Sequence, residues 1–379
     1  MHQLEILLIY LFSFYMIKKI IKNLTYFPGW RTNRKIIVIE SDDWGSIRMP
    51  SITAVEKLKE KGFAIEKCRY MQNDALESNG DLESLFGLLY SRKNKPVITA
   101  NFLTANPDFE RIEANKFKTY YNESLETTLA KYPNHDKVKS LWLEGMNAGV
   151  FQPQLHGREH LNISRWMTDL QNENKETRKA FQLKTFGVSG HVVKEKRGSY
   201  QAAFDQGSSQ YKVETSQIIK DAVEEFERLF NFKPKTFIAP NYIWGQEVEK
   251  ITSELGITHI QGTNTQRFPR IAGERLKVKR NFLGHKNKYD QKYLIRNCKF
   301  EPFGNPDKDW VNHAMRDISR AFMWKKPAII STHRVNFIGS INPENKSRNL
   351  KLFKSLLDEI EKKWPNVEYM SSDQLAKLI

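Results

Sequence analysis

Apolar and polar positions along this chain fall into blocks that switch repeatedly between strand-like and helix-like spacing. Ile36 to Ile39 is an unbroken, largely β-branched run between Lys35 and "ESDDWG", as in a strand buried on both faces that ends in a loop. Ser51 to Lys61, closed by Gly62, reads as a capped helix. Pro96 to Thr104 gives a second strand, stopped by the turn Asn106-Pro107-Asp108. From Phe109 to Gly145 the spacing is mostly helical, and "GVFQPQLHGREH" then brings an apolar approach to His156. Ile163 to Glu173 returns to helical spacing, and Thr236 to Ala239 is a strand entering a Pro-Asn-Tyr turn. A helix from Gln246 to Leu255 stops at Gly256, and "ITHIQG" supplies the next strand. "YLIRNCKFEPF", a helix around "DWVNHAMRDISRAFMW", the strand "PAIISTH", a helix from Asn349 to Lys363 and "VEYM" complete the series. Such alternation predicts a parallel, barrel-like α/β fold. In that fold the C-terminal ends of the strands face the active site.

The length of 379 residues, with 40% hydrophobic, supports a sizeable core, and no linker or repeat divides the chain. The expected organisation is one domain over residues 28–379 with a helical insertion at about 109–145, preceded by a distinct segment, residues 1–24. Within that segment Ile6 to Ile17 is nearly all apolar and is followed by Lys18, Lys19 and Lys22. Twelve residues fall short of the ~20 a membrane span needs. Glu5 before the run and lysines after it are the reverse of a signal peptide. If the segment did span, those lysines would tend to hold the following chain on the cytoplasmic side, so the main domain is expected inside the cell. An interfacial helix facing lipid headgroups and an ordinary docking helix both fit the segment as well.

The formal charge of +16 admits nucleic acid, an anionic membrane or an acidic glycan as partner. The densest basic stretch holds Arg275, Lys277, Lys279, Arg280, Lys286, Lys288, Lys292, Arg296 and Lys299, and it reads as a solvated face. No nucleic-acid-binding motif accompanies it, so nucleic acid is not expected. Cys68 and Cys298 form no CxxC pair, which points to a reducing compartment.

Three separated stretches carry residues suited to one metal-centred hydrolytic site: Asp42 and Asp43, His156 and His160, and His333 with Arg334. A catalytic metal takes about three N and O ligands and keeps a position open. The histidines at i and i+4 can chelate one ion on a helix or in a tight loop. Asp43, at an expected strand end, adds a hard oxygen. His333, ending an apolar strand, is placed to donate a proton to a leaving group. Taken singly, each element has a plainer reading, as a surface histidine pair, a helix-capping acid or a core histidine. No GxSxG elbow or phosphate loop offers a rival chemistry.

In these residues the chain resembles the metal-dependent polysaccharide deacetylases of carbohydrate esterase family four. "SDDWG" is similar to that family's first motif with Trp44 inserted, His156 and His160 to its second, "NPDKDW" with Asp309 and Trp310 to its fourth, and "AIISTH" to its fifth. The order along the chain agrees. The resemblance implies a distorted (β/α) barrel, with Asp42 as general base, Asp43, His156 and His160 as ligands of a divalent metal, and His333 as general acid. It also implies that Trp44, Asn241, Tyr242, Asp309 and Trp310 contact a carbohydrate substrate. Zinc is the first candidate ion, with cobalt, nickel or iron compatible with the same donors. Two features depart from the pattern. The third motif's arginine is missing, since "FIAPNYIW" has Ile238 and Ala239 in its place, and Arg334 is the expected substitute to hold Asp42. The gap over residues 44–155 is also wider than usual. The implied reaction is removal of an N-acetyl or O-acetyl group from a glycan. A non-catalytic glycan-binding relative and a different ester or phosphoester hydrolase remain as alternatives.

Overall fold

The first strand, β1 (Ile36–Trp44), is buried along its whole length, as its uninterrupted apolar start predicts, and it carries the aspartates inside the fold. A computed structural model describes residues 26–194, 198–205, 210–270 and 275–379, so the apolar and basic N-terminal segment lies outside the described residues. Parallel partners surround β1: β2 (Ile98–Leu103), β3 (Phe151–Gly157), β4 (Thr236–Ile238), β5 (His259–Gly262), β6 (Lys292–Ile295), β7 (Cys298–Lys299) and β8 (Ala328–His333). Their spatial order is β6-β5-β4-β3-β2-β1-β8-β7, and β9 (Glu368–Met370) pairs with the first residues of β1. The sheet is curled into the expected distorted (β/α) barrel.

The two edges of that path meet in the chain itself. β6 ends at Ile295 and β7 starts at Cys298, so Arg296 and Asn297 carry the backbone from one edge to the other. The Arg296 N–H donates to Gly262 O at 2.8 Å on one side and the Asn297 N–H to Ile329 O at 3.1 Å on the other. Few ladder bonds form across this seam, and it delivers the Arg296 side chain into the barrel.

Helices cover the outside because each presents an apolar stripe to the sheet. The helix Trp310–Met323 begins where Asp309 accepts from the Asn312 N–H. The helix expected over Asn349–Lys363 is longer than its apolar spacing suggests, running Pro343–Lys363, because Asn342 caps it and Pro343 fits its first turn. The stretch expected to be mostly helical contains the helices Phe109–Ala114, Leu125–Ala130 and Val138–Asn147, with a strand Asn122–Ser124 that pairs antiparallel with Ala105–Pro107. No helix among the described residues is long and apolar enough to cross a membrane. Cys68 and Cys298 are buried thiols.

Inside the barrel a polar layer replaces the aliphatic core beneath the strand ends. Asn101 on β2 donates to Asp42 Oδ1 at 2.8 Å and to Gln261 Oε1 at 3.0 Å. Gln261 donates to Thr236 Oγ1, which in turn donates to Gln154 Oε1. Buried polar groups are tolerated when they bond to one another, and this chain of bonds links five strands and fixes the Asp42 carboxylate from below, leaving Asn101 Oδ1 and Gln154 Nε2 without partners.

Candidate metal centre and active site

Successive side chains of a strand point to opposite faces, so the adjacent aspartates of β1 would normally diverge. The β1–β2 register shifts between Ser41 and Trp44, and Asp43 takes the left-handed conformation at φ 74°. This bulge turns both carboxylates into the same cavity, the kind of re-aiming for which such irregularities are used beside active sites. Gly45 follows at φ 80°, where a Cβ would lie 2.5 Å from Leu103 O, and its N–H donates to Glu77 Oε1 at 3.1 Å. The loop therefore needs glycine there.

Asp43, His156 and His160, all buried, place ligand atoms within 4.8 Å of one another. His156 lies one residue before the end of β3 and donates from Nδ1 to Ile238 O at 2.8 Å, which turns Nε2 toward Asp43 Oδ1 at 3.4 Å. His160, on the loop after Gly157, points Nε2 at the same oxygen from 3.6 Å. Asp43 Oδ1 is buried without a hydrogen-bond partner. Burial, reinforced by the charge of Arg48 and offset in part by Asp43, lowers His160 to about 3, so it stays neutral. Burial would raise the Asp43 carboxyl, but the imidazoles facing it hold it well below the usual range. A carboxylate and two imidazoles aimed at one point, with an oxygen unpartnered, are the donor set of a divalent cation, and the backbone carbonyl on His156 is the usual outer support. These residues fit such an ion.

Asp42 lies beside this centre. Burial alone would raise its carboxyl, but a two-pronged contact from Arg296 outweighs that and lowers it to about 2. Arg296 Nη1 donates to Oδ2 and Nη2 to Oδ1, both at 2.7 Å, while Nε donates to Glu40 Oε2 at 2.6 Å. Asp42 and His333 are register partners on β1 and β8, with His333 Nε2 at 3.8 Å from Asp42 Oδ2. His333 Nδ1 meets Glu301 Oε1 at 2.5 Å. Burial would depress this imidazole, but Glu301, then Asp42 and Asp43, raise it to about 9. At neutral pH the site thus holds a carboxylate and an imidazolium side by side.

The arginine expected to hold Asp42 is not the one that does. Arg334 follows His333 at the strand end and points the other way, into the core, where it donates to Glu77 Oε2 at 2.6 Å and Asp74 Oδ1 at 2.9 Å. Arg296, read from the sequence as part of a solvated basic face, is buried and takes that place. The expected site residues divide further. Asn241 and Tyr242 line the cavity over the aspartates, together with Arg48, Tyr70, His156, His160 and His333; its volume is about 90 Å³. Trp310 lines an adjoining cavity of about 500 Å³ that shares Tyr70, Tyr242 and His333. Trp44 does not reach either space. It is 1% exposed, packs edge-on against Phe151, and donates to Ser41 Oγ, so it is a core residue with no face for substrate. Asp309 is likewise an exposed helix cap and not a cavity residue.

Sequence reasoning passed over Arg296, Glu301, Glu40 and Asn101. The available signal was position: Arg296 and Glu301 both sit just past short apolar strands, where a barrel gathers its functional groups.

No family model matches the chain, and no curated protein matches it significantly. Solved structures similar to it include a Mycobacterium smegmatis protein classed by inference as a polysaccharide deacetylase, at 10% identity and TM-score 0.44, with 93% of this chain and 92% of that one covered. PuuE allantoinase is similar at 10% identity and TM-score 0.41, with 92% and 91% covered. A Bacillus anthracis pseudoenzyme of carbohydrate esterase family four is similar at 9% identity and TM-score 0.38, with 90% and 66% covered. At these distances the likenesses carry nothing about ligand or reaction, and the functional reading stands on the site.

Proposed function

We propose that this protein is a metal-dependent hydrolase that removes an acetyl group from a carbohydrate, with an N-acetyl group the preferred target. The observation that carries the reading is the convergence of Asp43, His156 and His160 on one point, with Asp42 and His333 paired beside it. A divalent ion, zinc or a near equivalent, held by those three side chains would supply Lewis acidity toward the acyl carbonyl and the attacking water. Asp42 is a carboxylate throughout the neutral range and accepts the proton of that water. Arg296 and Asn101 fix both of its oxygens. His333, protonated and oriented by Glu301, delivers a proton to the departing nitrogen or oxygen, and acetate is released. The larger adjoining cavity, lined by Tyr70, Tyr242, Phe303 and Trp310, offers aromatic faces to a sugar ring.

The test is metal analysis of the purified protein followed by acetate release from chitooligosaccharides and acetamido sugar nucleotides. About one ion per chain and chelator-sensitive acetate release are expected. A protein that holds no stoichiometric ion, or an ion without acetate release from any acetylated sugar, would overturn the reading.

A further inference from the structure

Of the buried arginines around the site, Arg296 and Arg334 are each paired with two carboxylates, whereas Arg48 forms no ion pair among the described residues. Arg48 is 8% exposed and lines the cavity over the aspartates and histidines. Its guanidinium carbon lies 4.4 Å from the centre of the Tyr70 ring, and Tyr70 in turn stands edge-on to His333 at 5.6 Å. Its Nε is buried with no hydrogen-bond partner. The nearby acids have other roles: Asp74, which also feels the Arg48 charge, and Glu77 are bonded by Arg334, Asp42 by Arg296 and Glu301 by His333, while Asp43, in the same cavity, faces the candidate metal position. Gly187 packs so tightly against the arginine that a Cβ there would sit 2.7 Å from Arg48 Cγ, which confines the side chain. A second buried donor without a partner, Gln201 Nε2, lies 3.4 Å from that same Cβ position.

A confined guanidinium withdrawn from water with no counter-ion is costly unless something supplies the charge. Here the open side of the residue is the reaction cavity, and the neighbouring cavity adds Lys299 and Lys308. We infer that Arg48 is a specificity-determining residue and that the sugar carrying the acyl group also carries an oxyanion, a carboxylate or a phosphate, which Arg48 binds. This rests on the proposed hydrolytic reading and narrows its substrate class to anionic acetamido sugars. A planar guanidinium suits either oxyanion through paired hydrogen bonds.

The experiment compares the metal-loaded full chain on N-acetylglucosamine, its 1-phosphate, its 6-phosphate and N-acetylglucosaminuronate, by acetate release and by calorimetric binding. At least one anionic sugar should exceed the neutral sugar by about ten-fold in kcat/KM and in affinity, the scale of one charge-assisted contact. The phosphate and uronate arms separate the two oxyanion sources. Arg48→Met should bring the anionic-to-neutral ratio near one, and Arg48→Lys should keep part of it. A wild-type protein with no anionic preference in either readout overturns the inference even where Arg48→Met fails to fold, and so does an Arg48→Met variant that keeps the wild-type ratio. Arg48-dependent binding without acetate release would support the inference and sink the hydrolytic reading. Acetate release at equal rates from neutral and anionic sugars would do the reverse.

Discussion

Asp42 and His333 occupy one rung of the β1–β8 ladder, so the backbone pairing of two parallel strands holds the candidate base and acid side by side. Asp42 is further fixed by Arg296 and Asn101, and His333 by Glu301. Neither residue belongs to the three-ligand centre. Asp42→Asn and His333→Gln should therefore each lower kcat for acetate release by about 10²–10⁴-fold, the usual worth of a positioned acid or base. Metal content, measured by elemental analysis, should stay at the wild-type level. Loss of the ion in either variant would show that the roles are divided differently.

Much of this site is legible in the sequence, and the reasons for the remainder are physical. The strand before the aspartates, the histidine pair and the strand ending in His333 are visible because each is a local pattern of apolar residues stopped by polar ones. That both aspartates face one cavity is not visible, since it depends on a bulge and on the left-handed backbone at Asp43. Arg334 follows His333 in sequence but does not share its direction. The chain passes from β8 into a tight 3-10 turn at Arg334–Asn336, and the side chain after His333 enters the core. Arg296 sits in a run of solvated cations, and its backbone bond to Gly262 on β5, with that of Asn297 to Ile329 on β8, sets it apart from them.

Exchange of function between the two arginines yields a sharp comparison. Arg296→Met should remove the support of Asp42 and Glu40 and cut turnover by about 10²-fold or more, because the carboxylate loses its orientation and the main opposition to its upward-shifting burial. Arg334→Met leaves Asp74 and Glu77 buried without their guanidinium and removes no hydrogen bond to a residue lining the cavity. It should cost about 3–5 kcal/mol of stability, read by urea denaturation. The catalytic rate of whatever fraction stays folded should change far less than in Arg296→Met. The opposite ranking would restore Arg334 to the site.

The Glu301–His333 pair also sets a pH dependence. The folded imidazole titrates at about 9, above its ordinary value of 6.5, because Glu301, Asp42 and Asp43 overcome its burial. Over that interval the folded state binds a proton that the unfolded state has released. The stabilisation is thus complete below about pH 6.5 and is lost as pH rises through 9. The proton-donating form disappears over the same upper limb. Glu301→Gln should move the alkaline limb of kcat/KM to lower pH while metal content holds, a shift that mere loss of packing would not produce. An unmoved limb would remove Glu301 as the group positioning His333.

Asp43 couples strain to the ion. Its left-handed backbone costs about 1 kcal/mol or more for a non-glycine residue. Without a cation its buried Oδ1 has no partner. Metal binding should therefore stabilise the protein strongly, by about 2.7 kcal/mol when the free ion stands at a hundred times its Kd. Chelation should lower Tm accordingly. Asp43→Gly relieves the backbone and removes the unmatched oxygen together, so the chelated variant should melt no lower than the chelated wild type. Added zinc should no longer raise its Tm. A variant that melts well below the metal-free wild type would mean that Asp43 supports the fold itself, and a variant that zinc still stabilises would place the ion elsewhere.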